Sequence, residues 1–358
     1  MERLGLVGLP NSGKTSLFNA LTGAEGPVAP HPFTTTETAV AVAPLPDARL
    51  DALAAMSASR KVVRASMEVV DIAGLVPGSS TGEGLGNRFL AGIREVDAVC
   101  MVLRAFPDPS VPGEDDPVGA LSSLELELVL ADLATVEAQI DKRRKAARAD
   151  KSLAGEVSAM EAAYESLSAG VPLYRAPDDP DRRAGRRGLF LLTDKPVLAV
   201  VNLGEDQLEK ADAVVEAVSA ALEGHGEVLG ACVQLEAEAA RLAPGERAEL
   251  LEGLGLGEGA LARVAQRAYA LLGRRVFFTT GDKESRAWSF RAGSNAAECA
   301  GVIHSDLQRG FIRAEVIGWE ELVAIGSWAQ AKASGRIRLE GKDYVVEDGD
   351  VLEIRFNV

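Results

Sequence analysis

No apolar run in these 358 residues approaches the roughly 18 needed to cross a bilayer, so no contact with a membrane is expected. Nor does the chain open with the basic stretch and apolar segment of a secretory leader; its first residues read directly as a strand. Cysteine is scarce. Cys100, Cys232 and Cys299 are scattered without metal-binding spacing, which fits reduced cytosolic thiols and a cytoplasmic location. Positive charge is in short supply: 38 Lys and Arg stand against 53 Asp and Glu, a formal net charge of −15 and a pI near 4.8. A protein that coats nucleic acid is basic, so any such contact here must be local. With 47% hydrophobic and 25% charged residues the composition is that of a globular protein, and the length suggests two or three domains.

What is present begins at once. Leu4 to Val7 form a short apolar run, Gly8 follows, then four residues, then Gly13-Lys14-Thr15 and a helical pattern. Strand, G-x-x-x-x-G-K-[ST] and helix together make a P-loop. Glycines let backbone N–H groups turn toward phosphates, Lys14 reaches the β- and γ-phosphates, and the Thr15 hydroxyl serves Mg2+ at the helix N-terminus. Such a loop predicts a doubly wound α/β sheet. Candidate buried strands are 66–72, 96–103, 196–202 and 227–233, rich in Val and Leu. The first of these ends on Asp71-Ile72-Ala73-Gly74. An Asp there holds Mg2+, usually through a water, and the Gly74 N–H can meet the γ-phosphate. Between the two motifs lies HPFTTTET, residues 31–38, where a threonine would sense the γ-phosphate through the metal.

The base-reading element is expected after the strand at 196–202. GTPases carry Asn-Lys-x-Asp there, whose Asp accepts from guanine N1–H and N2–H2 together. Here the residues are Asn202-Leu203-Gly204-Glu205, so the clamp is altered at two positions.

Between the strands at 96–103 and 196–202 the chain is Ala-, Leu- and Glu-rich and free of proline over 121–168. Leu126, Val129, Leu130, Leu133, Val136 and Ile140 recur at helical spacing, as do Val157, Met160, Tyr164 and Leu167. Two helices joined near 149–155 are expected to form an antiparallel hairpin. Charge is distributed unevenly. Residues 121–190 hold 11 Lys and Arg against 12 Asp and Glu, whereas the rest is strongly acidic. Lys142, Arg143, Arg144, Lys145, Arg148 and Lys151 cluster near the expected turn, and Arg182, Arg183, Arg186 and Arg187 lie on the returning segment. A basic patch on an acidic body can dock RNA without coating it. The C-terminal part reads as a small α+β domain. Residues 276–280 are β-branched and aromatic, and the final strand alternates, with Leu352, Ile354, Phe356 and Val358 on one face.

These motifs together resemble the YchF/Obg-like ATPase family, a branch of the Obg-related P-loop proteins. The matching stretches are GLPNSGKTSLFNALT, PFTT, DIAGLVPGSSTGEGLGNRFLAGIREVDA, NLGE, FIRAEVIGWEEL and LEGKDYVVEDGDVLEIRFNV, spread from residue 5 to 358. The resemblance implies a G domain over 1–120 and 191–275, an inserted helical hairpin or coiled coil over 121–190, and a TGS domain of β-grasp type over 276–358. It implies that ATP is preferred over GTP and that the protein associates with the ribosome, through the hairpin, the TGS domain or both. Carried residue by residue, it makes Asn11, Ser12, Gly13, Lys14, Thr15 and Ser16 the phosphate ligands. Thr15 and Thr35, with Asp71, serve Mg2+. Leu203 lines the base site beside Asn202 and Glu205, and Cys232 falls in the last base-contacting loop. Lys14 and Gly74 are the residues closest to the chemistry, and a monomer is expected.

Two departures bear on catalysis. Gly74 is followed by Leu75 instead of the glutamine that orients water in Ras-like enzymes. The loop RAFPDPSVPGEDDPV lacks the histidine that relatives often carry; His31, in the switch-like loop, is a candidate substitute. Asn11 stands where potassium-dependent relatives hold K+, which would supply the charge of an arginine finger; alternatively it only caps the loop. The leading reading is a nucleotide-hydrolysing switch acting on ribosomes. The alternatives are an ordinary GTPase, a scaffold in which nucleotide is never turned over, and a nucleotide kinase, against which the Asp71 and Asn202 elements speak.

Overall fold

The computed structural model describes residues 2–24, 38–72, 85–108, 115–177, 179–254, 256–257 and 259–357. The chain divides into two compact units. One takes the residues up to Ala43 with Glu68–Val264; the other takes Pro44–Met67 with Ala265–Val358.

The first unit is built on a six-stranded sheet, ordered β2-β4-β1-β5-β6-β7. Its strands are β1 (Arg3–Val7), β2 (Ala39–Pro44), β4 (Ser66–Asp71), β5 (Ala98–Arg104), β6 (Val197–Asn202) and β7 (Glu227–Ala231). The pairs of β1 with β4 and β5, β5 with β6, and β6 with β7 are all parallel. All seven residues of β5 and all six of β6 are buried, as the Val-rich runs require of strands covered on both faces. Strand β2 was not legible in the sequence. Its Ala-Val alternation sits at the sheet edge and leaves Val40 and Val42 about half exposed. The helices of this unit are α1 (Lys14–Thr22), α3 (Leu85–Arg94), α4 (Pro117–Ala149), α5 (Ala154–Ser168), α6 (Pro180–Arg186), α7 (Ala211–Ala221), α8 (Val233–Ala239) and α9 (Pro244–Gly253). Helix α10 (Ala260–Leu271) then leads on to the second unit.

Helix α4 runs for 33 residues from an Asp116 N-cap, which accepts from Val118 N. Its first part packs Leu121, Leu124 and Leu128 on the sheet core. Its later part packs Val129, Val136 and Ile140 against Met160, Ala163 and Leu167 of α5. Asp150 closes α4 and caps the one-turn link to α5 through Ser152 N. Part of the expected apolar stripe is corrected here: Leu126, Leu130 and Tyr164 are 55%, 41% and 40% exposed. They lie on the flanks of their helices, outside the seam between α4 and α5. Asp132, on the sheet-facing side of α4, is buried. It accepts from Leu192 N and Thr193 N (2.8 Å each) and from Thr193 Oγ1 (2.7 Å).

The second unit holds a sheet ordered β11-β10-β12-β8-β9-β3. Its strands are β3 (Val62–Val63), β8 (Arg274–Thr279), β9 (Ser285–Arg291), β10 (Phe311–Gly318), β11 (Arg338–Glu340) and β12 (Asp350–Phe356). Its helices are α2 (Ala48–Met56), α11 (Ala296–Ile303), α12 (Ser305–Arg309), α13 (Trp319–Ile325) and α14 (Trp328–Ala333). Helix α2 and strand β3 therefore fold with the C-terminal segment, although the sequence reading set residues 44–67 in the N-terminal domain. Arg49 secures them: it pairs with Asp47 (2.8 Å) and with Asp348 (2.7 Å). The expected alternation of the last strand holds only in part. Val351 and Leu352 are both buried because β12 is central, between β10 and β8, while Phe356 at its end is 47% exposed.

Candidate functional site

Sheet order brings the motifs together. Strand β1 lies between β4 and β5, with Leu6 level with Asp71, and Arg104 of β5 is level with Asn202 of β6. The carboxyl ends of these strands, with the loops that follow them, carry the described part of the candidate site, as parallel α/β sheets require.

The loop after β1 needs its glycines for reasons visible in the packing. A Cβ on Gly8 would sit 2.5 Å from Ser12 Oγ and 2.6 Å from the Val102 carbonyl. Gly13 has φ +92°, and a Cβ there would meet Asn202 Nδ2 at 2.2 Å. Asn11 is left-handed as well, at φ 61°, which asparagine tolerates better than most residues. Helix α1 starts at Lys14, so its first backbone N–H groups have no partner within the helix and are available to an anion.

Lys14 is 7% exposed, and its Nζ lies 3.5 Å from the Leu9 carbonyl, the outer limit of a hydrogen bond. Burial pushes its pKa down, opposed by the charge of Asp71. Asp71 is 1% exposed. Burial pushes its carboxyl up, opposed by a 2.7 Å hydrogen bond from Thr15 Oγ1 and by Lys14. The other oxygen, Asp71 Oδ1, is buried with no hydrogen-bond partner among the described residues, and so is Ser12 Oγ. An orphaned carboxylate oxygen beside a threonine hydroxyl fits a hard cation with oxygen ligands. Thr15 and Asp71 would hold it. Thr35 and Gly74, with His31 and Leu75, lie outside the described residues, as does most of the 31–38 loop.

Asn202 ends β6 and is 5% exposed. Its Nδ2 donates to the Ser12 carbonyl at 3.0 Å, and its Oδ1 accepts from Val233 N at 3.2 Å. One side chain thus joins the phosphate loop to the loop after β7, where Cys232 stands at the cap of α8. Cys232 is 3% exposed; burial pushes its thiol up, with the nearby Glu205 carboxylate adding to the effect. Glu205 itself is exposed, at the first position of a short turn over Glu205–Lys210. Leu203 behaves otherwise. Its side chain is 3% exposed and belongs to the sheet core, its Cδ1 packed beneath Gly230. Its N–H donates to the Ala231 carbonyl at 2.9 Å. Ser16, in the first turn of α1, is partly buried.

Two further residues shape this region and were missed from sequence. Gln207 receives Gly204 N at its Oε1 and donates from Nε2 to the Ala105 carbonyl, both at 2.8 Å. It therefore pins the Asn-Leu-Gly-Glu loop to the end of β5. A glutamine three residues after the cap position was the available signal. Arg104, buried at the end of β5, donates to the Phe106 and Asp108 carbonyls and stacks on the Phe106 ring at 4.5 Å. No local pattern announces a buried arginine.

The basic residues also converge. Gly185 of α6 is packed so closely on α5 that a Cβ would lie 2.8 Å from that of Ala159 and 3.2 Å from the Gly155 carbonyl. Glu156, on the same turn of α5, pairs with Arg143 of α4 at 3.2 Å. The arginine-rich α6 and the basic end of α4 therefore flank one turn of α5.

A parallel sheet with a glycine-strict phosphate loop, a buried Asp beside its threonine, and an Asn bridging to the last loop defines a P-loop nucleotide-binding protein of the GTPase class. The comparisons agree and narrow it. Residues 3–152 match the family described as a 50S ribosome-binding GTPase. Residues 275–357 match the C-terminal region of YchF GTPases, described as a protein of unknown function (DUF933). The chain is 43% identical over 361 residues to the ribosome-binding ATPase YchF of Bacillus subtilis and 41% identical to that of Escherichia coli O157:H7, covering 99% of each chain. The solved structure of the Schizosaccharomyces pombe YchF GTPase superposes with a TM-score of 0.84 at 30% identity, over 99% of this chain and 97% of that one. The chain belongs to the YchF family.

Proposed function

We propose that this chain is a ribosome-associated molecular switch that hydrolyses ATP in preference to GTP with Mg2+. The observation that carries it is the base-reading loop. Asn202 is tied to the phosphate loop at 3.0 Å, yet the two positions after it that clamp guanine in GTPases are a core leucine, Leu203, and an exposed Glu205. Guanine offers N1–H and N2–H2 to a carboxylate; adenine offers neither. Losing that charged pair removes about 1.5–3 kcal/mol from GTP specifically, roughly 10- to 150-fold. With its side chain in the core, Leu203 contributes to the base site through its backbone, and Cys232 closes the far side.

Asn11 to Ser16 would cradle the phosphates, through the N–H groups at the start of α1 that have no partner within the helix. Lys14 approaches the β- and γ-phosphates from a desolvated position, where its charge acts most strongly on the leaving group. Thr15 and Asp71, with Thr35, would hold Mg2+, which would supply positive charge against the phosphate oxygens. Asn11 would accept K+ if the chain follows the potassium-dependent relatives; otherwise it only caps the loop. Gly74 meets the γ-phosphate, and with Leu75 after it no glutamine aims the attacking water, so unaided turnover is slow. Residues 276–358 are read as a TGS domain of the β-grasp type that Obg-related proteins carry, and residues 121–190 as an inserted coiled-coil hairpin. The basic surface of that hairpin, with the C-terminal unit as a second candidate, docks ribosomal RNA. The protein is read as a cytoplasmic monomer; no helix among the described residues is long and apolar enough to cross a membrane.

Calorimetric titration with ATP and GTP, beside co-sedimentation with ribosomes, tests this reading. Tighter ATP binding and nucleotide-dependent pelleting are expected. Equal or tighter GTP binding would leave an ordinary GTPase, and no phosphate release above that of Lys14→Ala would leave a scaffold.

A further inference from the structure

One segment of the first unit carries a strained residue whose side chain stays exposed. Phe190 follows the short turn Arg187–Leu189 and adopts φ 51°, ψ 46°, the left-handed region. For an aromatic residue that is a backbone outlier, since its Cβ crowds the following carbonyl. It is also 65% exposed, the most exposed of the large apolar side chains described. A loop free to relax would bury the ring or release the strain. This one is held from both sides. Arg186 grips Asp194 through two hydrogen bonds, 2.9 and 2.7 Å, with the guanidinium almost fully buried. Asp132 takes three hydrogen bonds from Leu192 and Thr193. Leu189 and Leu191, on either side of Phe190, enter the core of the hairpin. The ring is thus presented outward by a rigid mount. Strain maintained by surrounding structure at an exposed position points to function.

The chemistry around it selects the partner. Arg182 and Arg183 are more than half exposed and face solvent on α6, held by Asp179 and Asp194. Arg187, whose carbonyl receives the Phe190 N–H, is exposed and has no carboxylate partner among the described residues. The basic end of α4 flanks the same turn of α5 as this helix. An exposed ring on a short segment that carries exposed arginines three to eight residues earlier matches an unpaired base with its phosphates: every base offers a π-face, and guanidinium groups follow the backbone.

We propose that Phe190 is a stacking platform for an unpaired base of RNA, with Arg182, Arg183 and Arg187 engaging the adjoining phosphates. It rests on the reading that the basic hairpin surface docks RNA, and adds that the RNA is single-stranded there.

The test uses the full chain and a fluorescent, unstructured oligo-U RNA of about ten nucleotides, within the site sizes of such surfaces, with an RNA duplex as comparison. Phe190→Gly should weaken oligo-U binding by roughly 5- to 150-fold. It should leave the salt dependence unchanged, because every arginine that engages a phosphate is retained. It should not lower Tm, since glycine adopts φ 51° without strain. Phe190→Trp should retain the affinity. Duplex binding should be equal in native and Gly chains. Undiminished oligo-U binding by Phe190→Gly, beside weakened binding when Lys142, Arg143, Arg144 and Lys145 become alanine, overturns the stacking proposal and leaves hairpin docking standing. An equal loss toward duplex also overturns it. Oligo-U binding absent from the native chain, with ribosome pelleting unaffected by the quadruple change, overturns both.

Discussion

The side-chain amide of Asn202 holds the backbone of Ser12, 190 residues earlier in the chain, by a 3.0 Å hydrogen bond from Nδ2 to the carbonyl. The same amide accepts from Val233 N at 3.2 Å. The conformation of the phosphate loop therefore depends on the base-reading loop, and the glycine at 13 is required because Asn202 occupies the space of its Cβ.

Asn202→Ala should accordingly damage both stability and binding. It strands the Ser12 carbonyl and the Val233 N–H in a buried setting, at about 1–3 kcal/mol for each unpaired group. Urea denaturation should show a loss of about 2 kcal/mol or more, and calorimetry a nucleotide affinity at least about tenfold weaker. An unchanged affinity for ATP would show that the bridge is merely structural.

Lys14→Ala and Thr15→Ala should abolish nucleotide hydrolysis while leaving the circular dichroism spectrum intact. Lys14 is buried with no carboxylate ion pair among the described residues, so its removal relieves a desolvated charge in the nucleotide-free protein. Thr15→Ala removes one hydrogen bond to Asp71, about 1 kcal/mol. Steady-state phosphate release in either variant above background would contradict the assigned roles.

Asp71→Asn should separate stability from function. Burial holds the Asp71 carboxyl above its ordinary range, so the folded chain keeps a proton there that the unfolded chain releases. Stability linked to this group is full below the ordinary carboxylate pKa and is lost as pH rises through the raised one. The neutral variant escapes that loss. In nucleotide-free protein its Tm should exceed that of the native chain at pH 8, and the difference should shrink as pH falls toward about 4. Hydrolysis should be lost at every pH. A native chain more stable than the variant at pH 8 would mean that the carboxylate is well compensated without a cation.

Changing Lys142, Arg143, Arg144 and Lys145 to alanine should weaken ribosome co-sedimentation and flatten its dependence on salt, by about 0.7 to 0.9 in log K against log salt for each phosphate no longer neutralised. Arg143 and Arg144 pair with Glu156 and Glu161 across the hairpin, but both pairs face solvent and contribute little to stability. Nucleotide affinity should be unchanged. Full ribosome binding by the variant would move the docking surface to the C-terminal unit.

Much of this protein is determined by residues close together in its sequence. The Val-rich strands, the phosphate loop, Asp71 at a strand end and the helical hairpin with its turn at 150–153 all depend on local propensity, and local patterns report propensity faithfully. The motif stretches were also enough to point to the family. Other features depend on partners distant in sequence. Residues 44–67 join the C-terminal sheet because β3 finds its neighbour in β9, more than 200 residues away, and no local signal encodes that pairing. Leu203 reads as a base-site residue, but β7 packs its side chain into the core. Leu126, Leu130 and Tyr164 satisfy helical spacing yet remain exposed, because the spacing defines a stripe and the neighbouring helix decides which edge of it is covered. Asn202 on Ser12, Gln207 on Ala105 and Asp132 beneath Leu192 are hydrogen bonds between segments that meet only when the sheet assembles. The left-handed Phe190 follows from the same cause: its flanks are fixed by tertiary hydrogen bonds strong enough to hold a backbone conformation that its own sequence disfavours.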